Sequence, residues 1–157
     1  MKNYIFLFYF LAYTHSLHAQ LPTIGNKVTE IKLPDINGKK IKLTSIKAKF
    51  ILIDFWASWC GPCRKSIRDL QKLYQKYHSL GLEIYGISLD TNKNDWVQAL
   101  NEDQPHWIEV NDWNNKIAIS WQVKYIPDTF LVDQEGRIIA HNLNKDQLYE
   151  FLKNKLL

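Results

Sequence analysis

Two cysteines are the only thiols in this 157-residue chain, and they stand three positions apart in Trp59-Cys60-Gly61-Pro62-Cys63. A pair at that spacing can do two kinds of chemistry: reversible thiol–disulfide exchange, or half of a tetrahedral zinc site. Zinc needs about four Cys/His ligands, and no second C-x-x-C is present, so redox exchange is the expectation. A static structural disulfide is the competing one. Pro62 fits the first turn of a helix, where its missing N–H is not needed.

What positions the pair is legible on either side of it. Phe50 to Trp56 is an apolar run with the character of a buried strand, and it stops at Ala57-Ser58. After Cys63, Ile67, Leu70, Leu73, Tyr74 and Tyr77 recur at helical spacing, up to a stop at Gly81. The cysteines therefore lie at a strand-to-helix junction. Unpaired N–H groups and the positive end of the helix dipole stabilise a thiolate there. Cys60, at the helix start, is the expected attacking sulfur. Cys63, one turn inward, is placed to resolve a mixed disulfide.

The string Asp54-Phe55-Trp56-Ala57-Ser58-Trp59-Cys60-Gly61-Pro62-Cys63 resembles the active-site segment of the thioredoxin superfamily. Leu33-Pro34-Asp35-x-Asn37-Gly38-Lys39, followed by a strand into that segment, is similar to the exported oxidoreductases of the TlpA/ResA type. The resemblance spans roughly Val28 to Leu157. It implies an α/β, thioredoxin-like fold: a central mixed β-sheet flanked by helices, with an N-terminal β-hairpin and a helix-containing insert. It further implies a cis peptide at Ile126-Pro127 facing the cysteines, with the Ile126 backbone free to pair with an extended substrate. Trp59, Gly61 and Pro62 would share that contact surface. Asp54 is a carboxylate inside an apolar run, costly to bury unless paired; the resemblance makes it the general base for Cys63. TlpA/ResA-type proteins often carry a neutral residue there.

Other departures concern charge. The related reductases often continue Arg-Lys-Glu-x-Pro after the second cysteine, whereas this chain reads Arg64-Lys65-Ser66-Ile67-Arg68. Asp128 follows Pro127 where Thr is common; near the sulfurs it would raise the Cys60 pKa, against Arg64 and Lys65. The resemblance also implies an insert that can bring an acid beside the site. Glu102, Asp103 and Glu109 are the candidates, each with a solvated surface position as its ordinary expectation.

The remaining elements follow in order. Asn37-Gly38 signals a hairpin between Val28 to Leu33 and Lys39 to Leu43. Leu82 to Leu89 reads as a buried strand, Asn94 to Asn101 as a helix, Trp107 to Val110 as a short strand and Asn115 to Trp121 as a short helix. A hairpin around Gln134 to Arg137 precedes a last helix, Asn144 to Leu157, opened by an Asn144/Gln147 capping pair.

Composition bounds the class. The chain is 46% hydrophobic and 23% charged with a net charge of +4, ordinary for one globular domain. Its basic residues are dispersed, which argues against a nucleic-acid partner. Lys2 followed by the apolar stretch Tyr4 to Tyr13 and a small residue at Ala19 reads as a secretory signal peptide over 1–19, leaving 20–157 as the thioredoxin-like domain. The apolar stretch is short of the roughly 20 residues that a membrane span needs, so an uncleaved anchor is the weaker alternative.

The resulting expectation is an exported, periplasmic thiol–disulfide oxidoreductase, monomeric, with no cofactor and no metal. Its partners would be client proteins with disulfides, apocytochromes c among them, and a membrane or periplasmic electron donor. The Gly61-Pro62 dipeptide, typical of reducing thioredoxins, implies electron donation. Two rivals stand beside it. A peroxiredoxin-like peroxidase would need Thr or Ser at position 57 and Pro at position 53, where this chain has Ala57 and Ile53. A non-catalytic thioredoxin-fold binding module would use the cysteines only structurally.

Overall fold

The computed structural model describes residues 22–157. The expected leader over 1–19 lies outside the described residues.

The sheet is organised around β3 (Phe50–Trp56). β4 (Leu82–Ser88) runs parallel beside it, and β5 (Ile108–Asn111) runs parallel to β4. On the other side, β6 (Asp128–Asp133) pairs antiparallel with β3, and β7 (Ile138–His141) antiparallel with β6. The order is β5-β4-β3-β6-β7, a mixed five-stranded sheet. β3 is buried from Ile51 to Trp56 because both its faces are covered, which is why it reads as a continuous apolar run rather than an alternating one.

One face carries α1 (Gly61–Tyr77), α2 (Lys93–Asp103) and α4 (Lys145–Leu156). There Leu52 and Trp56 of β3 join Cys63, Ile67, Leu70, Trp96, Leu148 and Leu152 in one apolar cluster. The opposite face packs Ile51, Ile53 and Phe55 against Tyr85, Trp121, Phe130 and the short α3 (Lys116–Ser120). Each fully buried Leu, Ile or Phe in these layers contributes about 1.5–3 kcal/mol. α1 ends as its glycine stop implies, through a 3-10 turn into Gly81 at φ 118°. At the start of α4 both halves of the Asn144/Gln147 capping box are made. Among the described residues no helix is long and apolar enough to cross a membrane.

The N-terminal hairpin is present but smaller than the sequence pattern implies. β1 (Lys32–Pro34) and β2 (Lys40–Lys42) pair over three residues each. Asn37-Gly38 is not the centre of a two-residue turn. The Asp35 carboxylate accepts the N–H groups of Asn37 and Lys39 (2.9 and 2.8 Å), and Gly38 donates to the Asp35 carbonyl (2.9 Å) at φ 81°. An aspartate that satisfies the turn's own N–H groups closes a longer loop and shortens the ladder. The preceding segment runs instead along the far end of the sheet, where Gly25 donates to the Ile138 carbonyl and Val28 to that of Gly136, both at 2.8 Å.

Candidate active site

β3 delivers the chain to the site and α1 takes it away. Cys60 is the N-cap of α1, in extended conformation, and Gly61 and Pro62 form its first turn. The Cys63 amide points at the Cys60 sulfur at 3.2 Å. This is the N-terminal arrangement in which a thiolate is stabilised by donors and dipole. The two cysteines are joined as a disulfide. Both cysteines are buried, Cys60 6% and Cys63 1% exposed, with Cys60 at the helix start and Cys63 beneath α1.

The loop before the helix is fixed by a polar group that sequence reasoning missed. Ser58 donates through its N–H and its hydroxyl to the buried Asp90 carboxylate, at 2.9 and 2.6 Å. Ser88 donates to Asp90 in turn, and the Asn111 amide bridges Ser88 and the Asp90 carbonyl. The only sequence signal was three polar residues at the ends of two apolar runs. Asp90 holds the Trp59-Cys60 corner to the C-terminal ends of β4 and β5.

From the other side, the Ile126 carbonyl lies 3.7 Å from the Cys60 sulfur, and the Ile126–Pro127 peptide is cis. Trp59 is 70% exposed and Tyr125 84%. Pro127 is exposed and Ile126 half-buried. The structure thus brings Cys60, Cys63, Gly61, Pro62 and Ile126 together, with Trp59 projecting into solvent at the same corner.

Asp54 is buried on the α1 side of the sheet, between Leu52 and Trp56 on alternate positions of β3. Its Oδ1 has no hydrogen-bond partner. Burial, with repulsion from Asp128 as the lesser cause, pushes its carboxyl up to about 7. Asp128 itself is buried and bonded to His141 Nε2 at 2.6 Å, with His141 stacked on Phe130. Alternation along β6 places Asp128 with Phe130 on the face away from α1.

Two of the three insert acids depart from the solvated positions expected of them. Arg64 in the first turn of α1 binds Asp103 through Nε and at 2.9 Å through its terminal nitrogen, which also meets Glu102 at 2.9 Å. Those carboxylates hold the guanidinium above its ordinary proton affinity. Only Glu102 is solvated; the Asp103 side chain is 7% exposed. The departure is largest at Glu109. Its carboxyl oxygens accept the indole N–H groups of Trp107 (2.7 Å) and Trp56 (2.9 Å). Burial is the main cause that pushes this carboxyl up to about 8.

Residues 24–141 match the AhpC/TSA family. The chain belongs to that family. Within it, the chain is 32% identical over 135 residues to the thiol-disulfide oxidoreductase ResA of Bacillus thuringiensis, an alignment covering 83% of this chain and 77% of that one. Among solved structures, the thioredoxin domain of a thiol-disulfide oxidoreductase from Bacteroides vulgatus superposes with a TM-score of 0.79 at 32% identity, covering 86% of this chain and 99% of that one. A thiol:disulfide interchange protein from a Bacteroides species gives 0.78 at 33% identity, with 85% and 90% covered. The AhpC/TSA member described here is thus a thiol–disulfide oxidoreductase of the thioredoxin superfamily and ResA type, and Cys60–Cys63 is its C-x-x-C pair.

Proposed function

We propose that this oxidoreductase works outside the cytoplasm as a reductase of disulfides in exported proteins. The observation that carries the reading is the asymmetry of the Cys60–Cys63 pair. The Cys60 sulfur lies 3.7 Å from the Ile126 carbonyl at the helix start, and Cys63 lies under α1 on the Asp54 side of the sheet.

In the reduced enzyme the Cys60 thiolate attacks a client disulfide. A Cys60–client S–S bond forms, the client bond breaks, and the first client sulfur leaves as a thiolate. Cys63 then passes its proton to the Asp54 carboxylate and attacks the Cys60 sulfur. The Cys60–Cys63 bond forms and the second client thiolate departs, so two electrons have moved to the client. The client strand lies along Ile126 and the cis Pro127, with Trp59, Gly61 and Pro62 completing the contact. A membrane or periplasmic dithiol donor returns the enzyme to its reduced form. Residues 1–19 serve as a cleaved signal peptide and 20–157 as the mature monomer. Apocytochromes c, whose cysteines must be reduced, suit this chemistry as clients.

The test is the equilibrium potential of the pair in defined thiol buffers. A value near that of thioredoxin, about −270 mV, fits electron donation, and one near −120 to −180 mV would make the protein an oxidant or isomerase. Cys60→Ser should abolish disulfide reduction; retained turnover would reject the assignment of the nucleophile.

A further inference from the structure

The turn that presents the reacting sulfur runs from Ala57 to Cys60, between the end of β3 and the start of α1. It is closed by the Cys60 N–H, which donates to the Ala57 carbonyl at 3.1 Å. Asp90, two residues past β4 and 2% exposed, grips it from the sheet. The two carboxyl oxygens of Asp90 are used differently. Oδ1 accepts the Ser58 hydroxyl at 2.6 Å. Oδ2 accepts the Ser58 N–H at 2.9 Å and the Ser88 hydroxyl at 2.8 Å. The Ser88 oxygen already accepts the Asp90 N–H and the Asn111 amide, both at 3.0 Å, so its own hydrogen is directed at Oδ2. Arg64 adds a longer contact from α1, Nη1 to the Ser58 carbonyl at 3.4 Å.

Two residues on from Ser58, Cys60 caps α1 with its sulfur 3.2 Å from the Cys63 amide. We propose that Asp90 is a positioning residue for Cys60. Through Ser58 it holds the Ala57–Cys60 turn so that the attacking sulfur stays on the Cys63 amide, a role that rests on the reading of Cys60 as the nucleophile.

The physical reason is the short reach of a helix N-terminus. A thiolate there is stabilised by the amide donor and the dipole, and both fade within the first turn. A turn free to drift would take that donor from the sulfur. The charge of Asp90 acts the other way, because a carboxylate near a thiol disfavours the thiolate. Position and charge therefore predict shifts of opposite sign, and variants can separate them. The other charges around the turn stay in place in all of these variants: Arg64 of α1 with Glu102 and Asp103 of α2, Asp54 of β3 and Asp128 of β6.

A symmetrical aromatic disulfide reads the two steps apart. Cys60 releases one aromatic thiolate on attack, and Cys63 releases the second on resolution. In a Cys63→Ser background only the first release remains, and the Cys60 thiol titrates alone by its ultraviolet thiolate absorbance. Asp90→Ala in that background is expected to raise the Cys60 titration by about one pH unit. Nucleophilicity rises with proton affinity at a slope of about 0.4–0.5, so first release should be about threefold slower below the titration and no slower above it. Asp90→Asn removes the same charge and can keep the grip. Its amide oxygen takes the place of Oδ2 for the Ser58 N–H and the Ser88 hydroxyl, and its amide N–H donates to the Ser58 oxygen in place of Oδ1. It should titrate at or slightly below the parent value.

Ala and Asn variants that both move downward would show charge acting alone and overturn the proposal. Unmoved titrations in both, with only a lower urea midpoint, would overturn it too and leave Asp90 as a residue of the fold. Ser58→Ala covers the case in which Asp90→Ala does not fold. It removes one hydroxyl and no charge, and it should move the titration upward by a smaller amount; an unmoved titration there would overturn the proposal. Absence of any first release with Asp90 intact would instead reject Cys60 as the nucleophile, and the proposal with it.

Discussion

Two pairs of acids lie close to the first turn of α1, and they are treated in opposite ways. Asp103 and Glu102, at the end of α2, share the Arg64 guanidinium. Asp54 and Glu109, in the sheet beneath, have buried carboxyls and no cation, and their proton affinities rise. The first pair joins α2 to α1 and keeps its charge. The second gives up charge for the ability to hold a proton near neutral pH. Acids in the same quarter of the fold are thus held charged or pushed toward the protonated form by whether a cation reaches them.

Removing Asp54, the base proposed for Cys63, should give the largest effect. Asp54→Asn is expected to slow resolution of the mixed disulfide by about 10²–10⁴-fold, the usual contribution of a general base, read as the second thiolate release.

The same residues make stability depend on pH. Asp54 and Glu109 titrate in the folded chain at about 7 and about 8, against ordinary values of 3.8 and 4.5. The folded state binds these protons more tightly than the unfolded state does. Their contribution is complete below the unfolded values and is lost as pH rises through the folded ones. Urea midpoints at pH 5 and pH 9 should therefore show a loss of a few kcal/mol at the higher pH, reduced in Asp54→Asn.

Breaking the other pair acts on stability with the opposite logic. Arg64→Ala leaves the enclosed Asp103 carboxylate without its cation and should cost about 2–3 kcal/mol in urea unfolding, the scale of charge-assisted hydrogen bonds. Gly86→Ala would push its Cβ into the Glu109 carboxyl. With the indoles holding that group in place, a loss of about 1–3 kcal/mol is expected, together with a changed tryptophan fluorescence from Trp56 and Trp107. Glu102→Ala should be the mildest. The side chain is 52% exposed, and an exposed ion pair contributes at most about 1 kcal/mol.

The strand, the helix and the two cysteines between them were legible in the sequence because each is a local pattern. The apolar run of Phe50 to Trp56 needs only burial on both faces, and the stripe from Ile67 to Tyr77 only helical periodicity. The capping box at Asn144 and Gln147 is contained in four residues. The thioredoxin-like motif carried the cis Pro127 and a buried Asp54 with it. Local patterns misled where a side chain intervened, as when the Asp35 carboxylate closed a longer turn than Asn37-Gly38 alone implies.

What the sequence could not decide is which acids meet which neighbours. Glu102, Asp103 and Glu109 stand within one short stretch and look alike as letters. Helix α2 brought the first two onto Arg64, and the parallel register of β5 on β4 laid the third over Gly86. The identity of the reacting sulfurs was a property of local order, fixed by a helix start and the spacing of two residues. The proton affinity of the carboxyls behind them is a property of distance and enclosure across three strands. Only the folded sheet sets it, because electrostatic interaction depends on separation in space and on water excluded, and neither is written along the chain.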